Sequence, residues 1–210
     1  MKRKVKTKVK GFRTTDGAGV KLVRVLGNLT TKEFDPILML DSFDSINPDD
    51  YTAGFPMHPH RGIETISYVS RGKMVHRDSL GNEAGISDGE VQWMNSGSGI
   101  MHEEMVPAAE RLLGVQLWLN LPAKDKMSKP SYNSIKNEDI KEIEIEGGKI
   151  RLLAGKYGEH EGYKGDYLSM DYYDIHLNAD AEVTLTMEED DSVMVFTLLG
   201  DVYIDGEHIE

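Results

Sequence analysis

Short apolar runs separated by turn signals dominate this chain. Apolar and polar residues alternate with a period near two, the spacing of a strand with one buried face. The pattern predicts strands over residues 20–25, 37–40, 62–70, 74–79, 90–94, 100–106 and 114–121. Turn sequences punctuate them: Asp16-Gly17, Arg71-Gly72-Lys73, Gly81-Asn82, Asp88-Gly89 and residues 95–99. Residues 41–56, rich in Asp, Pro and Gly, read as a long loop. Near the start, Lys4, Lys6, Lys8 and Lys10 alternate with Val5, Thr7 and Val9. That spacing predicts a strand with a solvated lysine face, which also guards a sheet edge.

Beyond Pro122 the pattern weakens. Residues 126–148 read as a linker, with one helical turn expected within 134–143. A second strand-rich block follows, with strands predicted over 149–154, 167–177, 182–186, 193–199 and 201–204. Gly206 marks a turn from which another hairpin arm should begin. The expected organisation is therefore all-β: a complete barrel over 1–125, the linker, and a partial second barrel over 149–210. The second block has too few strands to close by itself. Its uncovered apolar face predicts self-association through 165–210, or mobility there.

Composition narrows the class. Of 210 residues, 39% are hydrophobic and 29% charged, as in a soluble globular protein, and the 21 glycines suit many turns. There is no cysteine, which excludes disulfides and thiolate metal sites and fits a reducing cytoplasm. The basic start lacks the apolar stretch of a signal peptide, and no apolar run approaches the ~20 residues of a membrane span. Net charge is −12, although the first 13 residues hold seven basic groups and no acid. The remainder is more acidic still and repels phosphate backbones, so direct nucleic-acid binding is not expected.

Candidate chemistry lies in two compact groups, His58-Pro59-His60 and His102-Glu103-Glu104. Residues i and i+2 of a strand share a face. Each pair therefore projects two donors one way, and neighbouring strands could bring all four around one point. A lone His-x-His is weak evidence, since two solvated strand histidines look the same. Both pairs in an all-β chain are much stronger. The N/O donor set suits Fe, Mn, Co, Ni, Cu or Zn and not Ca. Between His60 and His102 there is room for three intervening strands.

The residues around these groups resemble a known family. Gly54-Phe55-Pro56-Met57-His58-Pro59-His60-Arg61-Gly62-Ile63-Glu64-Thr65 is similar to the first motif of the pirin family, within the cupin superfamily. Gln92-Trp93-Met94-Asn95-Ser96-Gly97-Ser98-Gly99-Ile100-Met101-His102-Glu103-Glu104-Met105 resembles its second, and Gly114-Val115-Gln116-Leu117-Trp118-Leu119-Asn120-Leu121 a third stretch. Gly200-Asp201-Val202-Tyr203-Ile204 is similar to the start of the family's second barrel. The resemblance implies two stacked cupin (double-stranded β-helix, jelly-roll) barrels, the second partial here. It implies one metal in the first, held by His58, His60, His102 and Glu104. The expected metal is one divalent transition ion, Fe(II) first, with Mn, Co, Ni, Cu or Zn as alternatives. In the wider cupin pattern the first-motif glutamate, here Glu64, is the fourth ligand. The pirin pattern uses Glu104, which leaves Glu64 expected just behind the ligands.

The resemblance further implies a quercetin 2,3-dioxygenase activity on a small aromatic, flavonol-like substrate with dioxygen, Glu104 being the catalytic proton acceptor. The rival expectation is a non-enzymatic, metal- and redox-responsive regulator that docks on a protein partner, a basic one given the acidic surface. A metal-dependent isomerase ranks third, because no phosphate-binding cluster is visible. Ser96-Gly97-Ser98-Gly99 lacks the Lys-Ser/Thr ending of a phosphate loop and reads as a turn. His76, His160, His176 and His208 are isolated and read as surface or hydrogen-bonded residues, although His76-Arg77-Asp78 lies on a strand near the site. Trp93 and Trp118 read as core, Trp118 with a lesser claim to line the cavity. Tyr163, Tyr167, Tyr172 and Tyr173 suggest packing between the two blocks.

Overall fold

The computed structural model describes residues 2–209. In chain order the first part contains β1 (Phe12–Asp16), β2 (Val20–Leu26), the single turn α1 (Thr31–Phe34), β3 (Ile37–Ser45) and β4 (Phe55–His60). It continues with β5 (Ile63–Arg71), β6 (Lys73–Asp78), β7 (Glu83–Ser87), β8 (Glu90–Asn95), β9 (Ile100–Met105), β10 (Leu112–Asn120) and β11 (Ser131–Ile135). These strands form two antiparallel sheets. One has the order β1-β2-β3-β10-β5-β8-β11, the other β4-β9-β6-β7.

Period two sorts the side chains of the smaller sheet. On β6, Met74, His76 and Asp78 are buried while Lys73 and Arg77 are exposed. On β9, Ile100, His102 and Glu104 are buried while Met101 and Met105 are exposed. The larger sheet differs. Nearly every residue of β5, β8 and β10 is buried, because both faces are covered. One face turns Ser67, Gln92 and Gln116 toward the smaller sheet. The other face turns Ile66, Tyr68, Val91, Trp93, Val115, Leu117 and Leu119 outward into a second core, shared with Leu153 and Ala154 and flanked by Tyr163 and Tyr172. A separate cluster of Val20, Leu22, Phe43, Tyr51, Phe55, Val69, Met74, Ile86, Val106 and Leu112 fills the apolar part of the barrel interior.

The second part begins with β12 (Lys141–Ile145) and β13 (Gly148–Ala154), joined by β16 (Tyr172–Leu177) in a three-stranded sheet. The pair β14 (Lys156–Tyr157) and β15 (His160–Glu161) and the hairpin β17 (Val202–Ile204) and β18 (Glu207–Ile209) complete it. Gly206 turns this last hairpin with φ +82°, as its position requires.

Several expectations need correction. The segment expected as a linker carries β11, which pairs with β8 and belongs to the first barrel's sheet, and β12, which belongs to the second part. Its expected helical turn is a hydrogen-bonded turn at Lys136–Ile140. The loop expected over 41–56 starts later, because β3 runs to Ser45. Its polar Asp41 is buried and strand-compatible because Arg24 donates to both carboxylate oxygens, at 2.9 and 2.8 Å. Between His60 and His102 lie four strands, β5 to β8, rather than three. Residues 182–186 and 193–199 form no strand, although they are apolar enough. No neighbouring segment offers them a ladder, and a strand without one leaves its backbone groups unpaired.

Residues 4–10 also form no strand. The lysines there are exposed as expected, and Val9 packs on the second core. This segment is tied to the second part by side chains instead. Arg3 donates to the carbonyls of Asp191 (2.6 Å), Glu189 (2.9 Å) and Glu188, and Lys8 to that of His208 (2.9 Å). Among the described residues no helix is long and apolar enough to cross a membrane.

Candidate metal centre

Strands β4 and β9 are antiparallel neighbours, with His58 directly opposite His102. Pro59, which separates His58 from His60, has no N–H to give a ladder. It is tolerated because β4 is the edge of its sheet. The three imidazoles therefore meet on one face. Ring centroids lie 4.4 Å apart for His58–His102, 4.8 Å for His58–His60 and 5.0 Å for His60–His102. One ligand atom from each lies within 4.8 Å of the others. His58 and His60 are half-buried and His102 is buried, so the group has a closed side and an open side.

The hydrogen bonds decide which nitrogens are free. His58 Nδ1 donates to the Pro56 carbonyl at 2.8 Å, which leaves Nε2 bare. That nitrogen lies 3.0 Å from Nε2 of His60. His102 Nε2 is buried with no hydrogen-bond partner. Burial pushes the His60 imidazole down to about 4, helped by His58. Burial likewise pushes His102 down to about 2, helped by His58, His60 and His76 and opposed by Asp78. Imidazole nitrogens converging on one point are what a divalent transition metal requires, and the orphaned, buried His102 Nε2 is otherwise costly. The residues fit such an ion. A His-based metal site is present.

Glu104 shares the inward face of β9 with His102 but lies outside the three-histidine group. Its fully buried carboxylate accepts from Gln116 Nε2 at 3.0 and 3.2 Å and from Gln92 Nε2. Burial raises its pKa, against the pull of the Gln116 amide and of His76 and His58. Ser67 Oγ accepts from both glutamines, at 3.2 and 2.9 Å, and so fixes their amides. Trp118 is half-buried on β10, its ring edge-on to His60 at 4.8 Å.

One expectation fails here. Glu64 is not behind the ligands. It lies on the outer face of β5, in step with Ile66 and Tyr68, against Trp93, Tyr163 and Asp166. Sharing parity with the histidines is not enough, because Gly62, with φ +71°, separates their strand from β5. Burial pushes the Glu64 carboxyl up to about 7. The Trp93 indole opposes this without making a sound hydrogen bond, and Asp166 adds to it. His76, read as a surface or hydrogen-bonded residue on a strand near the site, is hydrogen-bonded and fully buried, in contact with His102.

Gln92, Gln116, Ser67 and Tyr132 were not singled out. Tyr132 comes from β11 and stacks on His76 at 3.9 Å between centroids. The one available signal was the spacing of polar residues within apolar strands, where a buried polar group must have a partner.

Two facing antiparallel sheets with a histidine cluster on neighbouring strands define a cupin, here followed by a second unit. The pirin family's sequence profile matches residues 19–119. A Pseudomonas aeruginosa protein named as a candidate quercetin 2,3-dioxygenase is 42% identical over 204 residues, covering 94% of this chain and 72% of that protein. Human pirin is 34% identical over 206 residues, covering 96% and 69%. The crystal structure of a quercetin 2,3-dioxygenase from Acinetobacter baumannii superposes with a TM-score of 0.66 at 30% identity, over 79% of this chain and 63% of that one. The chain belongs to the pirin family, and it spans less than two thirds of that solved structure.

Proposed function

We propose that this protein is a metal-dependent dioxygenase of the quercetin 2,3-dioxygenase type, acting on a flavonol-like aromatic substrate. The observation that carries this reading is the convergence of three imidazoles, two of them only half-buried, beside the Trp118 ring. The likeness to the Pseudomonas and Acinetobacter proteins supports the reaction class. His58, His60 and His102 would hold the metal, with Glu104 as fourth ligand and Fe(II) as the ion. Such an ion, when bound, acidifies a phenolic hydroxyl and brings it beside dioxygen.

The chain's own groups do the rest. Glu104 is a buried carboxylate whose pKa burial raises, and it would take the hydroxyl's proton. Gln92 and Gln116 hold its oxygens in place. The Trp118 ring gives a flat substrate an apolar edge beside His60. Elemental analysis of protein purified without added metal, followed by oxygen uptake with quercetin, tests this. The expected result is one metal per chain and uptake that a chelator abolishes. Fully metallated protein inert toward a panel of flavonols refutes it.

One observation favours a second reading, docking on a protein partner. Met57, Met101 and Met105, 46, 40 and 42% exposed, stand on the solvent face of β4 and β9, directly behind the histidines. Flexible methionines suit an adaptable contact surface, and inert metallated protein would favour this role.

A further inference from the structure

Behind His102, away from the other two histidines, lies a buried chain of hydrogen bonds. His102 Nδ1 is 3.3 Å from His76 Nδ1, and His76 Nε2 is 2.9 Å from Asp78 Oδ2. His76 and the Asp78 side chain are fully buried. Two ring nitrogens facing each other must share one hydrogen, and the contact alone does not say which ring carries it.

Asp78 decides. Its Oδ1 accepts from the backbone N–H groups of Leu80 (2.8 Å) and Asn82 (3.1 Å), and its Oδ2 from Asn82 Nδ2 (2.8 Å). Every neighbour presents a donor, so Asp78 is an ionised acceptor. Burial raises its pKa, but the hydrogen bonds from His76, Asn82 and Leu80 outweigh that and hold it below its ordinary value. A neutral His76 must then give its Nε2–H to Asp78, and its Nδ1 is left as a lone pair. That lone pair can only accept, so His102 carries its hydrogen on Nδ1. The consequence falls on the far side of the ring, where His102 Nε2 is bare, buried and without a partner. The opposite order would set two acceptors, His76 Nε2 and Asp78 Oδ2, against each other at 2.9 Å without a proton.

We infer that His76 and Asp78 are positioning residues, which hold His102 in the one tautomer whose Nε2 can bind a metal. Tyr132, stacked flat on His76, keeps that ring in the plane the chain needs. The inference rests on the metal reading above, but the tautomer exists without any metal. It makes the sequence Met74-Val75-His76-Arg77-Asp78 part of the centre although none of its side chains belongs to the three-histidine group. It also makes β11 part of the centre through Tyr132.

The test uses the full chain with 15N-labelled histidine, metal-free, and then Co(II) titrated against a competing chelator. In the wild-type protein His102 should appear as the Nδ1–H tautomer. Asp78→Asn turns the chain round. The two backbone N–H groups keep the amide oxygen, the amide N–H faces His76 Nε2, and the hydrogen on His102 moves to Nε2. Co(II) affinity should then fall about 10- to 100-fold, as for loss of other groups that orient a ligand.

Asp78 also ties down the turn at 79–82, so a loss of stability alone carries no weight. The tautomer is the readout that a merely structural role would not move. If Asp78→Asn does not fold, His76→Phe keeps the ring on Tyr132 and removes both nitrogens. His102 should then populate both tautomers, with a similar loss of Co(II) affinity. An Nε2–H tautomer in wild-type protein, or a variant that leaves both the tautomer and the affinity unchanged, overturns the inference. The expected tautomer in a protein that takes up no Co(II) supports the chain of hydrogen bonds and overturns the metal reading instead.

Discussion

Two glutamates that look alike in the sequence meet opposite fates. Glu104 faces the barrel interior with two amides donating to it, while Glu64 is buried on the other face of its sheet with an oxygen that finds no partner. His58→Ala, His102→Ala and Glu104→Ala should each reduce metal content at least about tenfold, measured on protein purified in parallel. Glu64→Gln should leave metal content unchanged. Equal loss in Glu64→Gln would restore it to the centre.

The same substitution has a signature in stability. A carboxyl raised from 4.5 to about 7 is favoured in its protonated form by the fold. Its contribution is fully present below pH 4.5 and is lost as pH rises through 7. Glu64→Gln should therefore stabilise the protein above pH 7 by on the order of a few kcal/mol, with the gain shrinking toward pH 4.5. Urea unfolding across that range checks it, and a gain independent of pH would contradict it. His60 and His102 carry the opposite sign. Their folded values lie below 6.5, so metal-free protein should lose stability as pH falls from 6.5 through about 4. At this scale the three histidines were legible because chemistry needs them at i and i+2. His76 and Asp78 were not, because their role depends on a partner 26 residues away from His76.

Strands facing one core were legible by alternation, and β2, β5, β6, β8, β9 and β10 stand within a few residues of where the pattern puts them. In the first part β1, β7 and β11 were missed. Each is a short strand at the rim of its sheet and carries few apolar residues. Residues 182–186 and 193–199 have the composition of strands without the neighbours, and composition cannot report on neighbours. The start of β4 depends on a close approach that only glycine permits. Gly54 sits at φ +64°, and a Cβ there would lie 2.7 Å from the Glu104 carbonyl oxygen. Gly54→Ala should cost about 1–3 kcal/mol in urea unfolding, from strain and from pushing β4 off β9. It should also lower metal affinity, since the displaced strands carry the histidines.

At the scale of the molecule, the two parts share a core, and Arg151 fastens it. This buried guanidinium donates to the Gly89 carbonyl (2.7 Å) in the first part, to Asn137 (2.6 Å) in the turn between the parts, and to Glu142 (2.9 Å) in its own sheet. Residues 178–201 contain no strand and expose Val193, Met194, Val195 and Leu199. Limited proteolysis should nick this stretch well before it cuts β1 to β11, and light scattering should show association that grows with concentration. A monomer whose 178–201 stretch resists protease as well as the barrel does would contradict both. The two-part organisation was legible from the second strand-rich block, although the pattern breaks at Pro122 and the first sheet runs on to β11. The shared sheet was not, because continuous apolar runs do not say which core each face belongs to.

That sheet constrains how the gene can change. Along β5 and β8, neighbouring residues serve different interiors: Ser67 and Gln92 the shell of Glu104, Ile66, Tyr68 and Trp93 the core shared with the second part. A substitution there disturbs one interior. An insertion or deletion of one residue exchanges the two sets, sending Ile66 or Trp93 toward the carboxylate and a glutamine amide into the apolar core. Viable variants of these strands should therefore differ by replacement and keep their length. In a library of single-codon deletions scored for soluble protein, β5 and β8 should be empty while the turn at 79–82 is populated.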